Sequence, residues 1–482
     1  MMNLSKKTKI IATIGPSSDN YETLLEMARK GMNVMRLNFS HGTYDEHLIK
    51  INLARRLRKE NNILVSIMLD TKGPEIRCHY FKNGGVTIEK DSIVRIGMDD
   101  VMGDEKLFSV TYPGLFDDIK VNDTIKIDDG KLQLTVIDKD HKTKQIVAKA
   151  FNTHYISNRK GINIPSARLK LPALSEIDEK DILFSCQNGI DMIAASFIRN
   201  KENVLQIKEY LKSIGYANIP VIAKIENEEG FQNINEILTV VDGVMVARGD
   251  LGVEIPAEFV PILQRQIIKA CRKVGKPVIT ATQMLDSMQT NPIPTRAEVS
   301  DVATAIEEST DAVMLSGETA SGQYPVESVA MQAKIAATIE QYLDYSKLAQ
   351  EAFLSSEKKR SDAIANSVAN TANLIDAKLI FCFSENGSSA KKIAKTRPKC
   401  PIIMVTNKSE TAFTNGLTYA IYPVLIRVLP QFIEDMEAFS IIMSREFGLK
   451  KGDPIIITGG IPTGSGGTNF MRIVLMNEVK DV

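Results

Sequence analysis

Short runs of apolar, largely β-branched residues recur along the chain, and most are separated by stretches with helical periodicity. Three runs precede residue 75: Lys9–Ile14, Asn33–Phe39 and Ile63–Leu69. Five more follow residue 172: Asp191–Phe197, Pro220–Ile225, Gly243–Ala247, Pro277–Thr280 and Ala312–Leu315. Continuous apolar runs are typical of strands buried on both faces, as in a parallel sheet. The pattern therefore predicts eight βα units.

Eight βα units over about 250 residues fit a closed (β/α)8 barrel, the TIM-barrel architecture of the α/β class. The alternative is an open, doubly wound sheet. That fold normally carries a Gly-rich dinucleotide loop after its first strand, and Ile14-Gly15-Pro16-Ser17 is not such a loop.

Periodicity also predicts the helices between the strands. They are Asp19–Lys30 with Asp19 as N-cap, Tyr44–Asn61, Ser175–Asn188, Lys201–Ser213, Glu229–Thr239, Phe259–Val274, Arg296–Glu308 and one from about Val326 past Ile339.

Two stretches depart from this rhythm. Residues Glu75–Ala167 alternate apolar and polar positions with turn residues between them, which predicts a separate antiparallel β module inserted into the βα series. Beyond about Ser356, the segment SSEKKRSD reads as an exposed linker, and a small α/β unit follows. We expect barrel segments at 1–71 and 169–345, the inserted module at 72–168 and the C-terminal α/β unit at 346–482.

Composition limits the partners and the cellular compartment that we expect for this protein. Lys plus Arg and Asp plus Glu number 59 each, which favours neither nucleic acid nor an anionic membrane as a partner. The five cysteines are widely spaced without a C-x-x-C motif, which predicts reduced, buried thiols. The start MMNLSKKTKI lacks an apolar signal core, and no apolar run is long enough to span a bilayer. We expect a cytoplasmic protein.

Polar clusters follow the predicted barrel strands at their carboxyl ends, where barrel enzymes hold their catalytic groups. Lys224 and Glu226 are two residues apart and share a face, and Asp250 ends the next strand. Two carboxylates beside a lysine suit Mg²⁺ holding an anionic substrate. The alternative is a salt-bridged surface loop, which the one-sided clustering disfavours.

Other strand ends carry compatible groups. Arg36, Asn38 and Ser40 share a face near Asp70 and Thr71. Arg36 suits a phosphate, and the oxygens of Asn38 and Ser40 suit a monovalent cation, although Asn and Ser are also common turn and capping residues.

Two loops in the barrel have candidate roles at the reacting centre. The stretch from Gly249 to Gly252 can begin a short helix whose N–H groups take up a carboxylate. Thr282 offers a hydroxyl for orientation or proton relay, or simply caps a helix.

Three further stretches are candidates for movement or effector binding. The segment from Asp70 to Glu75 joins the barrel to the inserted module, which makes it a hinge that could close the module over the barrel mouth. Ser384–Ser389 lies between a strand and a helix and is a phosphate-sized loop, and Thr463–Thr468 is a Gly/Ser loop that could approach it.

Along almost its entire length the chain resembles the pyruvate kinase family. The residues that carry the resemblance, in the family's order, are KIIATIGPSS, GMNVMRLNFSHG, LDTKGPEIR, IAKIENEEG, DGVMVARGDLGVEIP, ITATQMLDSM, PTRAEVSDVA and DAVMLSGETASGQYP. The resemblance implies a barrel, a mobile antiparallel β-barrel lid formed by the inserted module, and a C-terminal α/β regulatory domain. It implies phosphoryl transfer from phosphoenolpyruvate to ADP, giving pyruvate and ATP in glycolysis, with a homotetrameric and allosteric enzyme.

The resemblance also implies residue roles. Glu226 and Asp250 would hold Mg²⁺ (or Mn²⁺), and Lys224 would stabilise the phosphoryl group in transfer. Substrate phosphate and carboxylate would be bound by Arg36, Lys224, Gly249, Asp250 and Thr282. Thr282 would assist enolate protonation, with Ser316 and Glu318 nearby. The K⁺ site would comprise Asn38, Ser40, Asp70 and Thr71, and the nucleotide contacts Asn38, His41, Arg77 and Lys160.

The resemblance makes two further points. Glu75 stands where K⁺-dependent members carry Glu, so K⁺ dependence is expected. The effector phosphate loop would comprise Ser384, Asn386, Gly387, Ser388 and Ser389, but Asn386 stands where many members have Ser. The late loop GGIPTGSGGTN also lacks the basic or aromatic residues of sugar-bisphosphate-regulated members, so the identity and existence of an effector stay open.

Two other functions remain as alternatives. A barrel lyase or aldolase acting on pyruvate or phosphoenolpyruvate could use the same carboxylate pair, but it would not need the inserted module or Lys160. A catalytically silent relative serving as a scaffold would be expected to have lost Lys224, Glu226, Asp250 or Thr282, and all four are present.

Overall fold

The chain begins with three parallel strands that alternate with two helices. A computed structural model describes residues 4–165, 167–357, 359–461 and 467–476. The first elements are β1 (Lys9–Thr13), α1 (Tyr21–Lys30), β2 (Val34–Asn38), α2 (Tyr44–Asn61) and β3 (Ser66–Asp70). β2 pairs with β1 and with β3 in parallel, which places Asn38 opposite Asp70.

The helix starts follow capping chemistry. Thr43 and Glu46 form a reciprocal capping box at α2. The predicted cap of α1 is wrong by one residue: Asn20, not Asp19, accepts the Thr23 N–H with its side chain. Either residue type suits an N-cap, so composition alone could not choose between them.

The inserted module is a separate β unit with its own apolar core. Its elements are β4 (Ile76–Arg77), β5 (Gly85–Ile88), β6 (Ile93–Gly97), β7 (Leu107–Ser109), α3 (Leu115–Asp118), β8 (Thr124–Ile127), β9 (Leu132–Asp140), β10 (Gln145–Ala150), β11 (His154–Ser157) and β12 (Gly161–Asn163). Seven strands form one sheet, in the order β4-β12-β8-β9-β10-β6-β7, and β5 pairs with β11. The pairing is antiparallel as predicted, except that β6 and β7 run parallel.

The βα series then resumes. Its elements are α4 (Glu176–Gln187), β13 (Met192–Ala195), α5 (Lys201–Ser213), β14 (Val221–Ile225), α6 (Glu228–Gln232), α7 (Ile234–Val240), β15 (Gly243–Ala247), α8 (Arg248–Glu254), α9 (Val260–Val274), β16 (Val278–Ala281), α10 (Arg296–Glu307), β17 (Ala312–Leu315), α11 (Gly317–Ala320) and α12 (Pro325–Ile339). Eight parallel strands close into a barrel in the order β1-β17-β16-β15-β14-β13-β3-β2. The predicted barrel is confirmed.

One predicted barrel helix is wrong. The stretch Glu229–Thr239 forms two helices, α6 and α7, that meet at Asn233. The side-chain amide of Asn233 donates to the Arg199 carbonyl at 2.9 Å, which anchors the break to the preceding loop. A tertiary hydrogen bond of this kind leaves no trace in helical periodicity.

The C-terminal part is an α/β unit with helices on both faces of a sheet. Its elements are α13 (Tyr345–Leu354), α14 (Arg360–Leu374), β18 (Leu379–Phe383), α15 (Ser388–Lys395), β19 (Ile402–Thr406), α16 (Ser409–Thr414), β20 (Ile421–Leu425), α17 (Ile433–Glu446), β21 (Pro454–Gly459) and β22 (Phe470–Leu475). The sheet order is β20-β19-β18-β21-β22, and only the β21–β22 pair is antiparallel.

The predicted exposed linker is wrong in its second half, because α14 begins at Arg360 within it. Helices α13, α14 and α16 were not predicted. The α14 sequence RSDAIANSVANTANL contains few large apolar residues, and its buried face is mostly alanine. Alanine is a strong helix former but gives a weak apolar period, so the pattern is easily overlooked.

A buried ion pair joins this unit to the amino-terminal end of the barrel. Arg397 binds Asp311 with both Nη atoms at 2.9 Å and donates to the Ser309 carbonyl. Asp311 also accepts the Val278 and Tyr419 N–H groups. Its carboxylate thus ties β16 to the C-terminal unit. In the described parts of the chain, no helix is long and apolar enough to cross a membrane.

Candidate active site

The ends of β14 and β15 bring Lys224, Glu226 and Asp250 to one rim of the barrel. These two strands are parallel neighbours. Lys224 Nζ lies 2.9 Å from Glu226 Oε1, and both side chains are buried. Asp250 lies in the first turn of α8 and is exposed. The Phe197 N–H donates to the other oxygen of Glu226, so this carboxylate is held from two sides.

Asp70 links Lys224 to Arg36 on the opposite side of the mouth. Its Oδ1 lies 3.0 Å from Lys224 Nζ and its Oδ2 lies 2.6 Å from Arg36 Nε. Arg36 also donates to the Thr13 hydroxyl at 2.8 Å, and Lys224 to the Ser196 hydroxyl at 2.8 Å. Two cations and two carboxylates therefore form one hydrogen-bonded cluster beneath the barrel mouth.

Burial and charge set the protonation states of this cluster. Burial alone would lower the pKa of Lys224, but Asp70 and Glu226 raise it above its ordinary value. Burial would raise the pKa of Asp70, but Arg36 and Lys224 lower it. Burial raises the pKa of Glu226 to about 7, against the opposing effect of Lys224. Lys224 is thus a fixed cation, while Glu226 is poorly solvated and gains from a further positive charge.

The donor set suits a hard divalent cation. Glu226 and Asp250 offer carboxylate oxygens at the same rim, and Mg²⁺ is typically bound by one or two carboxylates with water and substrate completing its shell. Among the described residues, no group of three or more His, Cys, Asp or Glu side chains is arranged to hold a metal ion.

The four residues expected to bind K⁺ lie at the ends of β2 and β3. Asn38 and Asp70 are register partners on these neighbouring strands. Asn38 Oδ1 accepts the Ser40 N–H at 3.1 Å, a contact by which Asn commonly stabilises a turn. The Thr71 hydroxyl accepts the Ser196 N–H at 3.1 Å. Backbone geometry brings the four together, but the Asp70 carboxylate is already bound by Arg36 and Lys224.

Thr282 follows β16 in a left-handed conformation, with φ of 69°. Its hydroxyl donates to the Ala281 carbonyl at 2.7 Å and accepts the Gly249 N–H at 2.8 Å. The Thr282 hydroxyl thus lies directly beside the start of α8. An Ala or Val at this position would lose both contacts.

Arg248, which was not among the predicted site residues, holds this loop in place. Its guanidinium donates to the Ala281 and Thr282 carbonyls at 3.2 and 2.6 Å and pairs with Asp301 at 2.7 Å. The signal was its position at a strand end beside Gly249 and Asp250. Ser196, Thr13 and the Phe197 N–H were also missed, because a single hydroxyl or a backbone N–H does not indicate in the sequence that it contacts a charged group on the neighbouring strand.

Glu318 organises the adjoining loops. It is buried, and its carboxylate accepts the Ser316 N–H at 2.7 Å and the Leu285 N–H at 3.1 Å. Burial raises the pKa of Glu318. The carboxylate is thereby committed to backbone contacts that fix the loops after β16 and β17.

The residues expected to contact nucleotide are divided between barrel and lid. His41 is exposed beyond β2, and its carbonyl accepts a ring nitrogen of His47. In the lid, Arg77 pairs with Glu75 and donates to the Arg159 carbonyl, and Lys160 pairs with Asp128 at 2.7 Å. Glu75 and Arg77 sit at the junction of barrel and lid.

The lid rests on the barrel through α8. Asn163 donates to Glu254 at 2.8 Å, and Lys126 Nζ donates to the Val253 carbonyl. Because α8 also carries Asp250, the lid contacts the same short helix that borders the carboxylate pair.

The loop Ser384–Ser389 leads into α15 in the C-terminal unit. Gly387, with φ of 73°, caps the helix, and Asn386 Oδ1 accepts Lys408 Nζ at 3.3 Å. The hydroxyls of Ser389 and Thr468 are hydrogen-bonded, so the end of the Gly/Ser loop does meet this loop. Residues 463–466 of the Gly/Ser loop lie outside the described residues.

Comparison with known proteins gives one consistent family. The family model "Pyruvate kinase, barrel domain" matches residues 5–329, and "Pyruvate kinase, alpha/beta domain" matches residues 362–474.

Individual relatives agree. The chain is 46% identical over 477 residues to a pyruvate kinase of Geobacillus stearothermophilus, covering 99% of this chain and 81% of that one. It is equally identical to a pyruvate kinase of Staphylococcus aureus strain MRSA252, covering 98% and 81%. A crystal structure of a pyruvate kinase from Cryptosporidium parvum superposes with a TM-score of 0.93 at 36% identity, covering 98% of this chain and 96% of that one.

Proposed function

The chain belongs to the pyruvate kinase family and transfers the phosphoryl group of phosphoenolpyruvate to ADP, giving pyruvate and ATP, and we propose that the Lys224–Asp70–Arg36 cluster performs this transfer. The observation that supports the assignment is the pair of buried cations on one carboxylate beneath the barrel mouth. Phosphoryl transfer asks a protein mainly for positioning and for positive charge.

Lys224 stabilises the charge that develops on the phosphoryl group, and Arg36 binds the substrate phosphate. Asp70, which is almost fully buried, forms an ion pair with each cation and so holds both side chains in place. Their side chains are therefore preorganised, and no reorganisation cost arises when the anionic substrate enters.

Glu226 and Asp250 hold Mg²⁺ (or Mn²⁺), and Asn38, Ser40, Asp70 and Thr71 hold K⁺. When bound, these cations supply further positive charge to the substrate phosphates. The raised pKa of Glu226 supports the first assignment, because a buried carboxylate gains most from a cationic partner. K⁺ dependence is expected from the Glu at position 75, which pairs with Arg77 beside the lid.

The substrate carboxylate is bound at the start of α8 by the backbone of Gly249 and Asp250 and by Thr282. Thr282 assists protonation of the enolate, and the hydrogen bonds that hold its hydroxyl between Ala281 and Gly249 support a positioned role. Ser316 shapes the neighbouring loop through Glu318.

Asn38, His41, Arg77 and Lys160 contact the nucleotide, and the lid excludes water when it closes over the mouth from its hinge at 70–75. We further propose that the protein is a cytoplasmic homotetramer composed of barrel, lid and regulatory units at 1–71 with 169–345, 72–168 and 346–482. The loop with Ser384, Asn386, Gly387, Ser388 and Ser389 is the candidate binding site for a phosphorylated allosteric effector.

A coupled assay tests the function directly. Purified protein is given phosphoenolpyruvate, ADP, Mg²⁺ and K⁺, and ATP and pyruvate are measured separately. Stoichiometric formation of both is expected. Pyruvate without ATP would indicate a hydrolase or lyase, and formation of neither would indicate a silent relative.

The same assay tests the monovalent cation. Replacing K⁺ by tetramethylammonium at equal ionic strength should nearly abolish turnover, because the bulky cation does not fit among the oxygens of Asn38, Ser40 and Thr71. Robust turnover in its presence would refute the K⁺ assignment while leaving the phosphoryl transfer itself untouched.

A further inference from the structure

A small cavity lies at the amino-terminal ends of four barrel strands, on the face opposite the barrel mouth. On the barrel side it is lined by residues that begin or directly precede β13 to β16, namely Met192, Pro220, Asp242 and Pro277. The C-terminal unit covers it with α15 and with the turn after α16. Its volume is about 230 Å³. We name it the basal cavity. Because both units contribute walls, a ligand bound here would contact both of them.

Two ammonium groups and one carboxylate line the basal cavity. Asp242 Oδ2 lies 2.8 Å from Lys208 Nζ, and it also accepts the Val221 N–H at 2.9 Å. This carboxylate is therefore already bound by a cation and by a backbone donor. Lys391 of α15 is the second cation of the lining, and its Nζ forms no hydrogen bond or ion pair with any described residue. The lining thus holds one cation that lacks a partner.

The surroundings of Lys391 make this missing partner costly. Burial lowers the pKa of Lys391, and the more distant Asp242 only opposes that shift. The nearby Lys276 repels Lys391, and its own ammonium group is bound by the Leu238 and Val241 carbonyls at 2.5 and 2.6 Å. A half-buried ammonium group beside other cations gains from an anion that binds it directly.

Thr418 adds an independent observation on the opposite wall. It is only 5% exposed, and its buried Oγ1 has no hydrogen-bond partner among the described residues. Its backbone N–H donates to the Asn415 carbonyl at 3.1 Å, so the turn after α16 holds the residue in place. A buried hydroxyl without a partner is unfavourable. Because Thr418 lines the basal cavity, a ligand there would complete its hydrogen bonding.

The remaining walls are mostly apolar. They include Ile219, Ile222, Pro277 and Leu417, and Asn218 adds an exposed amide at the rim. Small-molecule sites typically combine apolar walls with a few polar anchors, and most have volumes of about 300 Å³ or more. The basal cavity is smaller than this, so it suits a ligand of only a few heavy atoms.

We propose that the basal cavity binds a small monocarboxylate. The carboxylate would accept hydrogen bonds from Lys391 and Thr418, and a short chain would contact Ile219 and Ile222. Two ammonium groups and one carboxylate give the lining a single net positive charge, which matches a monoanion. A phosphate dianion would exceed this charge and would be repelled by Asp242, and the described lining contains no arginine fork for phosphate.

This site is separate from the barrel mouth and from the loop at 384–389. Its ligand is not a reactant in phosphoryl transfer, so the proposal stands independently of the proposed function. A bound carboxylate would connect α15 of the C-terminal unit to the barrel strands at their amino-terminal ends.

Ligand-observed NMR of the full-length protein tests the proposal without any catalytic step. The probe is sodium butyrate, titrated in a chloride buffer at pH 7.5 without Mg²⁺, phosphoenolpyruvate or nucleotide, and saturation transfer from protein to butyrate is measured. We expect saturable transfer that acetate displaces, with inorganic phosphate displacing butyrate only at concentrations at least tenfold higher. Displacement by phosphate at concentrations equal to those of acetate would overturn the monocarboxylate assignment. Absence of saturable transfer would overturn the site.

Variants locate the binding. Lys391→Gln should weaken butyrate binding at least tenfold and Thr418→Val at least threefold, whereas Lys212→Gln, at an exposed position in the last turn of α5, should leave it unchanged. Thr418→Val also separates ligand binding from a structural role. Because the Thr418 hydroxyl has no partner among the described residues, its removal should not lower the unfolding temperature of the ligand-free protein in scanning calorimetry.

Thr282→Val distinguishes the basal cavity from the barrel mouth, where the substrate carboxylate is proposed to bind. Butyrate binding should persist in this variant. Loss of binding in Thr282→Val with full binding in Lys391→Gln would locate the carboxylate at the mouth and overturn the proposal. Unchanged butyrate binding in both Lys391→Gln and Thr418→Val would overturn it as well.

Discussion

At the scale of single residues, the site depends on one carboxylate that serves two cations. Asp70 is held between Arg36 and Lys224, and each cation also has a hydroxyl acceptor. Removing Lys224 leaves Asp70 paired with Arg36 and leaves Glu226 bound to the Phe197 N–H. The surroundings therefore stay largely satisfied, and the loss of function can be separated from a loss of structure.

Lys224→Met should lower kcat by about 10²–10³ with little change in the KM for phosphoenolpyruvate, because the role proposed for Lys224 is to stabilise charge in the transition state. Steady-state kinetics measure this, with circular dichroism to confirm folding. Lys212→Met, a substitution of an exposed lysine, is the matched control. A change confined to KM would contradict the role.

Glu226→Gln should weaken binding of Mn²⁺ at least tenfold, because an amide oxygen lacks the charge of a carboxylate. Electron paramagnetic resonance of free Mn²⁺ measures the dissociation constant without turnover. The adjacent, exposed Glu228→Gln is the control. Equal affinity in Glu226→Gln and the unmodified protein would show that the metal is held elsewhere.

The candidate residues at this scale could be predicted where they share a strand. Lys224 and Glu226 are two apart, and Asp250 follows one βα unit later, so period and topology suffice. Ser196 and Thr13 could not be found in this way. Each accepts a hydrogen bond from a cation on the neighbouring strand through one hydroxyl, and a single Ser or Thr near a strand end does not indicate such a contact in the sequence.

At the scale of elements, the junction of β15 and α8 connects to the loop after β16 through Arg248. The Arg248 side chain starts at the β15–α8 junction and donates to the Ala281 and Thr282 carbonyls in the loop after β16. It also forms an ion pair with Asp301 of α10. The left-handed conformation of both Thr282 and Gln283 depends on such support, since positive φ is unfavourable for β-branched and long side chains.

Arg248→Lys should lower kcat about tenfold or more, because a lysine cannot hold both carbonyls and Asp301 in one plane. The Thr282 hydroxyl would then be misplaced, as happens when a small displacement disturbs a preorganised group. Binding of Mn²⁺ should be unchanged, since Glu226 and Asp250 remain. Unaltered kcat with weakened Mn²⁺ binding would instead assign Arg248 to the metal site.

Elements with a strong apolar pattern were predicted nearly to their ends, as α5, α9, β15 and β17 show. Some elements without such a pattern were missed, and two were predicted as a single helix. The alanine-rich α14 lies in a segment that reads as a linker, and α6 and α7 read as one helix because their break depends on Asn233 reaching a neighbouring loop.

At the scale of the whole molecule, charged side chains are buried where the barrel meets the C-terminal unit. Lys6, which precedes β1, is almost fully buried and donates to the Thr8 carbonyl at 3.0 Å and to Asn33 Oδ1 at 2.7 Å. Its own carbonyl accepts the Tyr422 hydroxyl of β20. Such an interface could not be predicted from sequence, because its members are hundreds of residues apart.

The Lys6 side chain makes the stability of this interface depend on pH. Burial lowers the pKa of Lys6 from an ordinary 10.5 to about 7, although Glu340 opposes the shift. Between about pH 7 and 10.5 the unfolded chain binds more protons at this group than the folded chain does. The free energy of unfolding should therefore rise with pH through this window and gain no slope from Lys6 below it.

Lys6→Met should flatten that slope and raise the apparent unfolding temperature at pH 7, because the variant no longer buries a charge there. Asn33 Oδ1 remains bonded to the Ile10 N–H, so the substitution leaves one acceptor satisfied. Differential scanning calorimetry from pH 6.5 to 9 measures both effects, and one group accounts for at most about 1.36 kcal/mol per pH unit. Lys30→Met, at an exposed position in the last turn of α1, controls for the charge removed.

Lys9 is also buried with a lowered pKa, so some slope should remain. An identical slope in Lys6→Met and in the unmodified protein would assign the pH dependence to other groups and leave Lys6 protonated in the folded interface.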